Sequence, residues 1–266
     1  MKKVDIPMKV EHLILARKWF EDFVADFATP EGDLPHLLLL KKEHSYRVEA
    51  NSGSLATALE WEGDAVRIAD VLGLLHDIGR FPQYRDYGTF SDGSSIDHGD
   101  AGVTILERSF PWSGISPSTK KILLEGIRYH NKMDIADTLS PEERTLCQLV
   151  RDADKIDILA LIRQCIKEGK VQELSPGLKE EVPVSPDLLE DLVSTGKASY
   201  KKVHSLTDFL ALQLSWVFDI NYPQTFQMLE EAGSLSWIVD QLQKEKELLP
   251  FIEKAMKHVE AQLALL

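Results

Sequence analysis

Apolar positions along this chain recur mostly at three- and four-residue steps. From Met8 to Phe27 they fall at Val10, Leu13, Ile14, Trp19, Phe20 and Phe23, the period of an amphipathic helix. The run Thr29-Pro30-Glu31-Gly32-Asp33 breaks that helix, and a second is predicted from about Leu37 to Asn51, ending before Ser52-Gly53. Asp64 reads as an N-cap for a strongly apolar segment, Ala65 to Ile78, which must be largely buried. Its polar end, His76-Asp77-Ile78-Gly79-Arg80, therefore demands an explanation. Phe81 to Ile96 reads as a long loop, the kind of segment that often carries function. Helices resume at about Asp97–Phe110, Ser118–His130 and Pro141–Glu168, with Gly169 as a stop.

Lys170 to Asp187, with three prolines, reads as a boundary. Ser205–Asp219, Tyr222–Ala232 and Ser234–Leu265 are again helical in pattern. No stretch alternates with period two, so the expected class is all-α. The expected organisation is a core over 8–169 and a helical C-terminal extension over 170–266. Trp216, Phe218, Phe226, Leu229 and Trp237 read as core packing, with a pocket wall or a homodimer seam as the other openings.

Composition narrows the class. At 266 residues, 44% apolar and 27% charged, the chain can build a sizeable core. A net charge of −13 argues against a nucleic-acid partner, although a bound cation can reverse the field locally. Cys147 and Cys165 are the two cysteines, which leaves no CxxC pair and no disulfide framework. The N-terminus lacks an apolar run of signal length and no stretch is long enough to span a bilayer. A cytoplasmic protein without membrane contact is expected.

Candidate chemistry lies in histidines beside carboxylates or at helix ends: His44, His76 before Asp77, His98 in Asp97-His98-Gly99-Asp100, and His130 in Tyr129-His130-Asn131. Asp152, Asp154 and Asp157 follow on one helix. Buried ionised carboxylates are expensive unless paired or metal-bound, and mixed imidazole and carboxylate donors suit Mn, Fe, Co, Ni or Zn.

The series His44, then Leu75-His76-Asp77-Ile78-Gly79, then Asp154 resembles the H…HD…D signature of HD-domain phosphohydrolases. The resemblance spans about Leu37 to Ile166. It implies an all-α HD-domain bundle in which His44, His76, Asp77 and Asp154 bind a divalent metal, and it is what selects Asp154 over Asp152 and Asp157. The segments around His98 and His130 are similar to those of two-metal members, where Asp77 would bridge the ions and these histidines would complete the second. His76-Asp77-Ile78-Gly79-Arg80-Phe81 and Arg151-Asp152-Ala153-Asp154-Lys155-Ile156-Asp157 resemble a largely uncharacterised bacterial branch, and the GYP triplet of the HD-GYP phosphodiesterases is absent.

The resemblance implies one or two divalent transition-metal ions and hydrolysis of a phosphomonoester or phosphoanhydride in a nucleotide or related small molecule. His76 and Asp77 would stand at the reacting centre with Arg80. Arg80, Arg47, Arg85, Lys132 and Lys155 are the candidate phosphate cations, and Tyr84, Tyr87 and Phe90 candidate stacking partners for a base. A cyclic-nucleotide phosphodiesterase, a di-iron oxygenase and a non-catalytic nucleotide-binding module are the alternatives.

Overall fold

The computed structural model describes residues 7–174, 177–180 and 182–266. The fold is all-α, and among the described residues the β-type pairing is one isolated bridge, Lys179 with Ser205. Ser175, Pro176 and Glu181, inside the expected boundary segment, lie outside the described residues. No helix among them is long and apolar enough to cross a membrane. The chain divides into two compact units, Met1–Asp154 and Lys155–Leu266.

The first unit contains α1 (Val10–Ala25), α2 (His36–Ala58), α3 (Asp64–Leu75), α4 (Arg80–Tyr87), α5 (His98–Ser109), α6 (Pro117–Tyr129) and the first half of α7 (Pro141–Lys167). Helix α3 is central, packed against α2, α1 and α6. Ile68, Ala69, Leu72, Leu74 and Leu75 are wholly buried, as its apolar run requires. Burial of one such side chain is worth about 1.5–3 kcal/mol.

Helix α2 runs to Ala58, past the Ser52-Gly53 stop read from sequence. These small residues are a contact and not a terminus. A Cβ on Gly73 would stand 2.5 Å from Ser52 Oγ and 2.6 Å from the Val48 carbonyl oxygen, and one on Gly53 would stand 2.1 Å from Asp70 Oδ1. Residues without side-chain bulk let α2 and α3 approach, which sets His44 opposite His76.

The expected loop 81–96 is half helical. Pro82 falls in the first turn of α4, where the missing N–H has no partner to lose. Phe81 anchors the turn, fully buried with its ring centroid 6.0 Å from Phe20 and 5.7 Å from Phe27. Gly88, at φ +66°, ends the helix in the left-handed conformation. Only 88–97, with a short 3-10 turn at Asp92–Ser94, remains irregular.

The second unit continues α7 and adds α8 (Val171–Leu174), α9 (Pro186–Thr195), α10 (Leu206–Ser215), α11 (Pro223–Glu231), α12 (Ser234–Leu242) and α13 (Leu249–Leu263). It has its own core around Leu188, Leu192, Leu210, Leu214, Phe226 and Phe251. Phe226 and Leu229 belong to that core, and Trp216, Phe218 and Trp237 pack partly buried against it.

Candidate metal centre

Helices α3 and α6 end in the same way. After α3, the His76 Nδ1 lies 2.7 Å from the Gly73 carbonyl oxygen, and after α6 the His130 Nδ1 lies 2.7 Å from the Ile127 carbonyl oxygen. In each case the ring N–H donates to a carbonyl that the terminating helix leaves over. That bond fixes the tautomer and turns the Nε2 lone pair inward. Both helices also aim the negative ends of their dipoles at this region, which favours cations. Arg151 holds the turn after α6, its Nη1 donating at 3.1 Å to the Tyr129 carbonyl.

His98 enters from the opposite kind of terminus, the first residue of α5, where Asp97 caps by accepting from the Asp100 N–H at 3.1 Å. Its Nδ1 lies 2.7 Å from Asp92 Oδ2 and 2.9 Å from Oδ1, so its Nε2 also points inward. His44 comes from the middle of α2 and Asp154 from α7.

These side chains converge on Asp77. Its Oδ2 is 3.4 Å from His44 Nε2 and 3.6 Å from His76 Nε2. Its Oδ1 is 3.2 Å from His98 Nε2 and 3.5 Å from His130 Nε2. Asp154 Oδ1 adds to the first group, 3.1 Å from His44 Nε2 and 3.5 Å from His76 Nε2. His44, His76 and Asp77 form one buried group able to hold an ion, and Asp77, His98 and His130 form another. All six residues named from the sequence as ligands are thus brought together within the first unit.

The donor chemistry fits a metal. His98 and His130 face each other at 2.9 Å between Nε2 atoms, while each Nδ1 already donates elsewhere. Rings in those tautomers present their Nε2 lone pairs to one another, an arrangement that a shared cation would relieve. His44 and His76 face each other at 3.2 Å, and Asp154 Oδ1 is buried without a hydrogen-bond donor.

The ionisation states agree. Burial raises the Asp77 carboxyl, but the neighbouring groups, led by the Lys41 ammonium, outweigh it and hold it well below the usual range. For Asp154, burial is likewise outweighed by His44 and His76. Burial pushes His130 down to about 4, which leaves it neutral. Ionised carboxylates and neutral imidazole are the ligand forms.

The proposed phosphate cations are placed unequally. Arg80 borders the cluster, its Nε 3.5 Å from Asp77 Oδ1 and without a hydrogen bond, while Nη1 bonds Gln83 and Asp92, each at 2.9 Å, and the Phe90 carbonyl. Arg85 pairs with Asp86 at 2.7 Å, and Lys132 pairs with Asp97 and, at 2.9 Å, Asp100. Lys155, in the second unit, pairs with Asp219 at 2.8 Å. Arg47 is half-buried on α2. Tyr84 and Phe90 stack on each other with centroids 5.1 Å apart, and Tyr87 is exposed.

Two neighbours escaped sequence reading. Lys41 Nζ lies 2.6 Å from Asp77 Oδ2, and Asp92 joins His98 to Arg80, Gln83 and Asn131. The spacing Lys41-x-x-His44, which sets both on one helix face, was the available signal for the lysine.

Residues 42–160 match the HD domain family. That segment is similar to an HD domain. His44, His76, Asp77 and Asp154, the series that defines it, fall within the matched segment. No curated protein and no solved structure matches the chain. An HD domain points to a metal-dependent hydrolase, and the two His–Asp groups sharing Asp77 are where such an ion could be held.

Proposed function

We propose that the protein is a metal-dependent phosphohydrolase that cleaves a phosphomonoester or phosphoanhydride of a nucleotide or related small molecule. The observation that carries this reading is the division of Asp77, one oxygen toward His44 and His76 and the other toward His98 and His130. One carboxylate between two pairs of inward lone pairs is the donor pattern for two neighbouring divalent transition-metal ions, of the Mn, Fe, Co, Ni or Zn type. His44, His76, Asp77 and Asp154 would hold the first, and Asp77, His98 and His130 the second. Such ions supply Lewis acidity and make water acidic enough to act as a nucleophile near neutral pH.

The remaining work belongs to the chain. The ionised Asp77 and Asp154 and the neutral His130 already stand in the forms in which such residues bind a cation. Arg80, with its free Nε toward Asp77, meets phosphoryl charge. Attack by water forms a P–O bond as the ester or anhydride P–O bond breaks, and the leaving group departs with a proton. Small phosphorylated molecules are the proposed substrates, and the acidic chain fits neither a nucleic-acid polymer nor a membrane surface.

The test is elemental analysis of the purified chain together with phosphate release from a panel of nucleoside phosphates under Mn, Fe, Co, Ni and Zn. Bound metal and turnover are expected, and Asp77→Ala is expected to lose both, with activity down by about a thousandfold or more, ~4 kcal/mol of barrier. Metal content and turnover unchanged in Asp77→Ala would overturn the assignment. Iron-dependent oxygen consumption in place of phosphate release would move the same ligands to an oxygenase.

A further inference from the structure

We infer that Lys41 is a substrate-binding residue of this centre, one that grips a terminal phosphoryl group. The inference rests on the hydrolase reading above and extends it to a residue outside the ligand set. Lys41 lies three residues before His44 on α2, so the two side chains project from one face of the helix. Its Nζ is 2.6 Å from Asp77 Oδ2, the oxygen that also faces His44 and His76. The side chain is 15% exposed, against 1% for His44, so the ammonium stands between the buried ligands and solvent.

Phe90 fixes the approach. The Lys41 Nζ lies 5.7 Å from the ring centroid and the Arg80 Cζ 5.9 Å from it. Two cations therefore share one aromatic ring and one carboxylate, Lys41 on Oδ2 and Arg80 facing Oδ1. Like charges so placed need anionic charge nearby. When Asp77 gives its electron pairs to divalent ions, its charge is largely taken up, and both cations require another anion. A phosphoryl group with two negative charges supplies it.

The two cations differ in what they can do. Arg80 is held by Gln83, Asp92 and the Phe90 carbonyl. Lys41 has a flexible stem and three donors, and among the described residues its ammonium donates to Asp77. It can follow the phosphoryl oxygens through the displacement of the leaving group. A terminal phosphate dianion uses both cations and a diester monoanion does not, so Lys41 favours monoesters and terminal anhydrides over cyclic or linear diesters.

The experiment compares the unmodified protein with Lys41→Met and Lys41→Arg, each metal-loaded, by metal content and by calorimetric titration with inorganic phosphate. Lys41→Met is expected to keep its metal and bind phosphate about tenfold or more weakly, a loss of roughly 1.4 kcal/mol, with Lys41→Arg recovering part of it. A rise in KM for a phosphomonoester larger than the fall in kcat should accompany it. Lys41→Met that keeps its metal and binds phosphate as tightly as the unmodified protein overturns the inference but leaves the hydrolase reading standing. Loss of metal from Lys41→Met also overturns it, by making Lys41 a support for Asp77. An unmodified protein that takes up no metal removes the hydrolase reading and this inference together.

Discussion

Asp92 shows how much a single side chain does beside this centre. It accepts from the His98 ring, Arg80 Nη1, Gln83 Nε2 and Asn131 Nδ2, and burial is outweighed by His98 in keeping its carboxyl ionised. A carboxylate behind a ligating histidine fixes its orientation, and removing one typically costs ten- to a hundredfold, about 1.4–2.7 kcal/mol, in metal affinity. Asp92→Ala should therefore lose metal held by His98 and His130 while the group of His44, His76 and Asp154 stays loaded, giving a fractional stoichiometry by elemental analysis. Equal retention in both forms would show that Asp92 only shapes the loop. Asp70 makes a different prediction, about stability. Burial and then the Glu49 carboxylate raise its pKa from 3.8 to about 6, against the opposing charges of Arg17 and Arg67. Between those values the folded state binds more protons than the unfolded chain, so this contribution stabilises below about pH 4 and is lost as pH rises through 6. With solvent screening of a half-buried group the loss is about 1 kcal/mol. Asp70→Asn should raise Tm at pH 7.5 relative to the unmodified protein and have little effect at pH 4, a difference that thermal melts at both values would detect.

Between helices, the closeness of α2 and α3 decides whether His44 can face His76. Gly73 makes that closeness possible, since a Cβ there would stand 2.6 Å from the Val48 carbonyl oxygen and 2.9 Å from Glu49 Cα. Backbone atoms cannot turn aside as a flexible side chain can. Gly73→Ala should destabilise the fold by about 1–3 kcal/mol and weaken metal retention together, read from the denaturation midpoint and elemental content. Stability and metal content both at unmodified levels would mean that the helices separate at no cost. The same contact explains what sequence could reveal about the elements. The apolar run of α3 and the His76-Asp77 pair at its end were legible because burial of Ile68 to Leu75 leaves polar residues there without a bland role. Ser52-Gly53 suggested a helix stop because its partner, Gly73, is distant in sequence. Pro82 and Gly88 suggested a loop where they bound a short helix, because the burial of Phe81 against Phe20 and Phe27 is tertiary. Within the site, the six convergent residues stood out from residue type and motif. Lys41 and Asp92 were not, since a helix lysine and an aspartate beside glycine have ordinary readings as a solvated charge and a turn residue.

At the scale of the whole chain, the candidate metal centre and the second core occupy different units. His44, His76, Asp77, His98, His130 and Asp154 all fall in Met1–Asp154, while Lys155–Leu266 builds its core from α9 to α13 and the end of α7. That core depends on one buried carboxylate. Asp208 accepts from the Ser185 N–H and Oγ–H, both at 2.7 Å, and from the His204 and Ser205 N–H groups at 3.0 and 3.1 Å. It thereby ties the start of α9 to the capping box of α10. Asp208→Ala takes the buried acceptor from these four donors, of which Ser205 is buried while Ser185 and His204 can reach water, and the expected cost is about 2–4 kcal/mol. The loss should fall on the second unit, seen as faster amide exchange across 186–263, while bound metal per chain stays at the unmodified level. Metal bound only to the folded first unit should add to its stability by mass action, about 2.7 kcal/mol at a free concentration of 100 times Kd. Chelation should therefore lower protection in α2, α3 and α6 in the unmodified protein and in Asp208→Ala alike. If Asp208→Ala instead sheds its metal, the centre depends on the second unit's integrity through the shared helix α7, which carries Asp154 on one side of the division and Lys155 on the other.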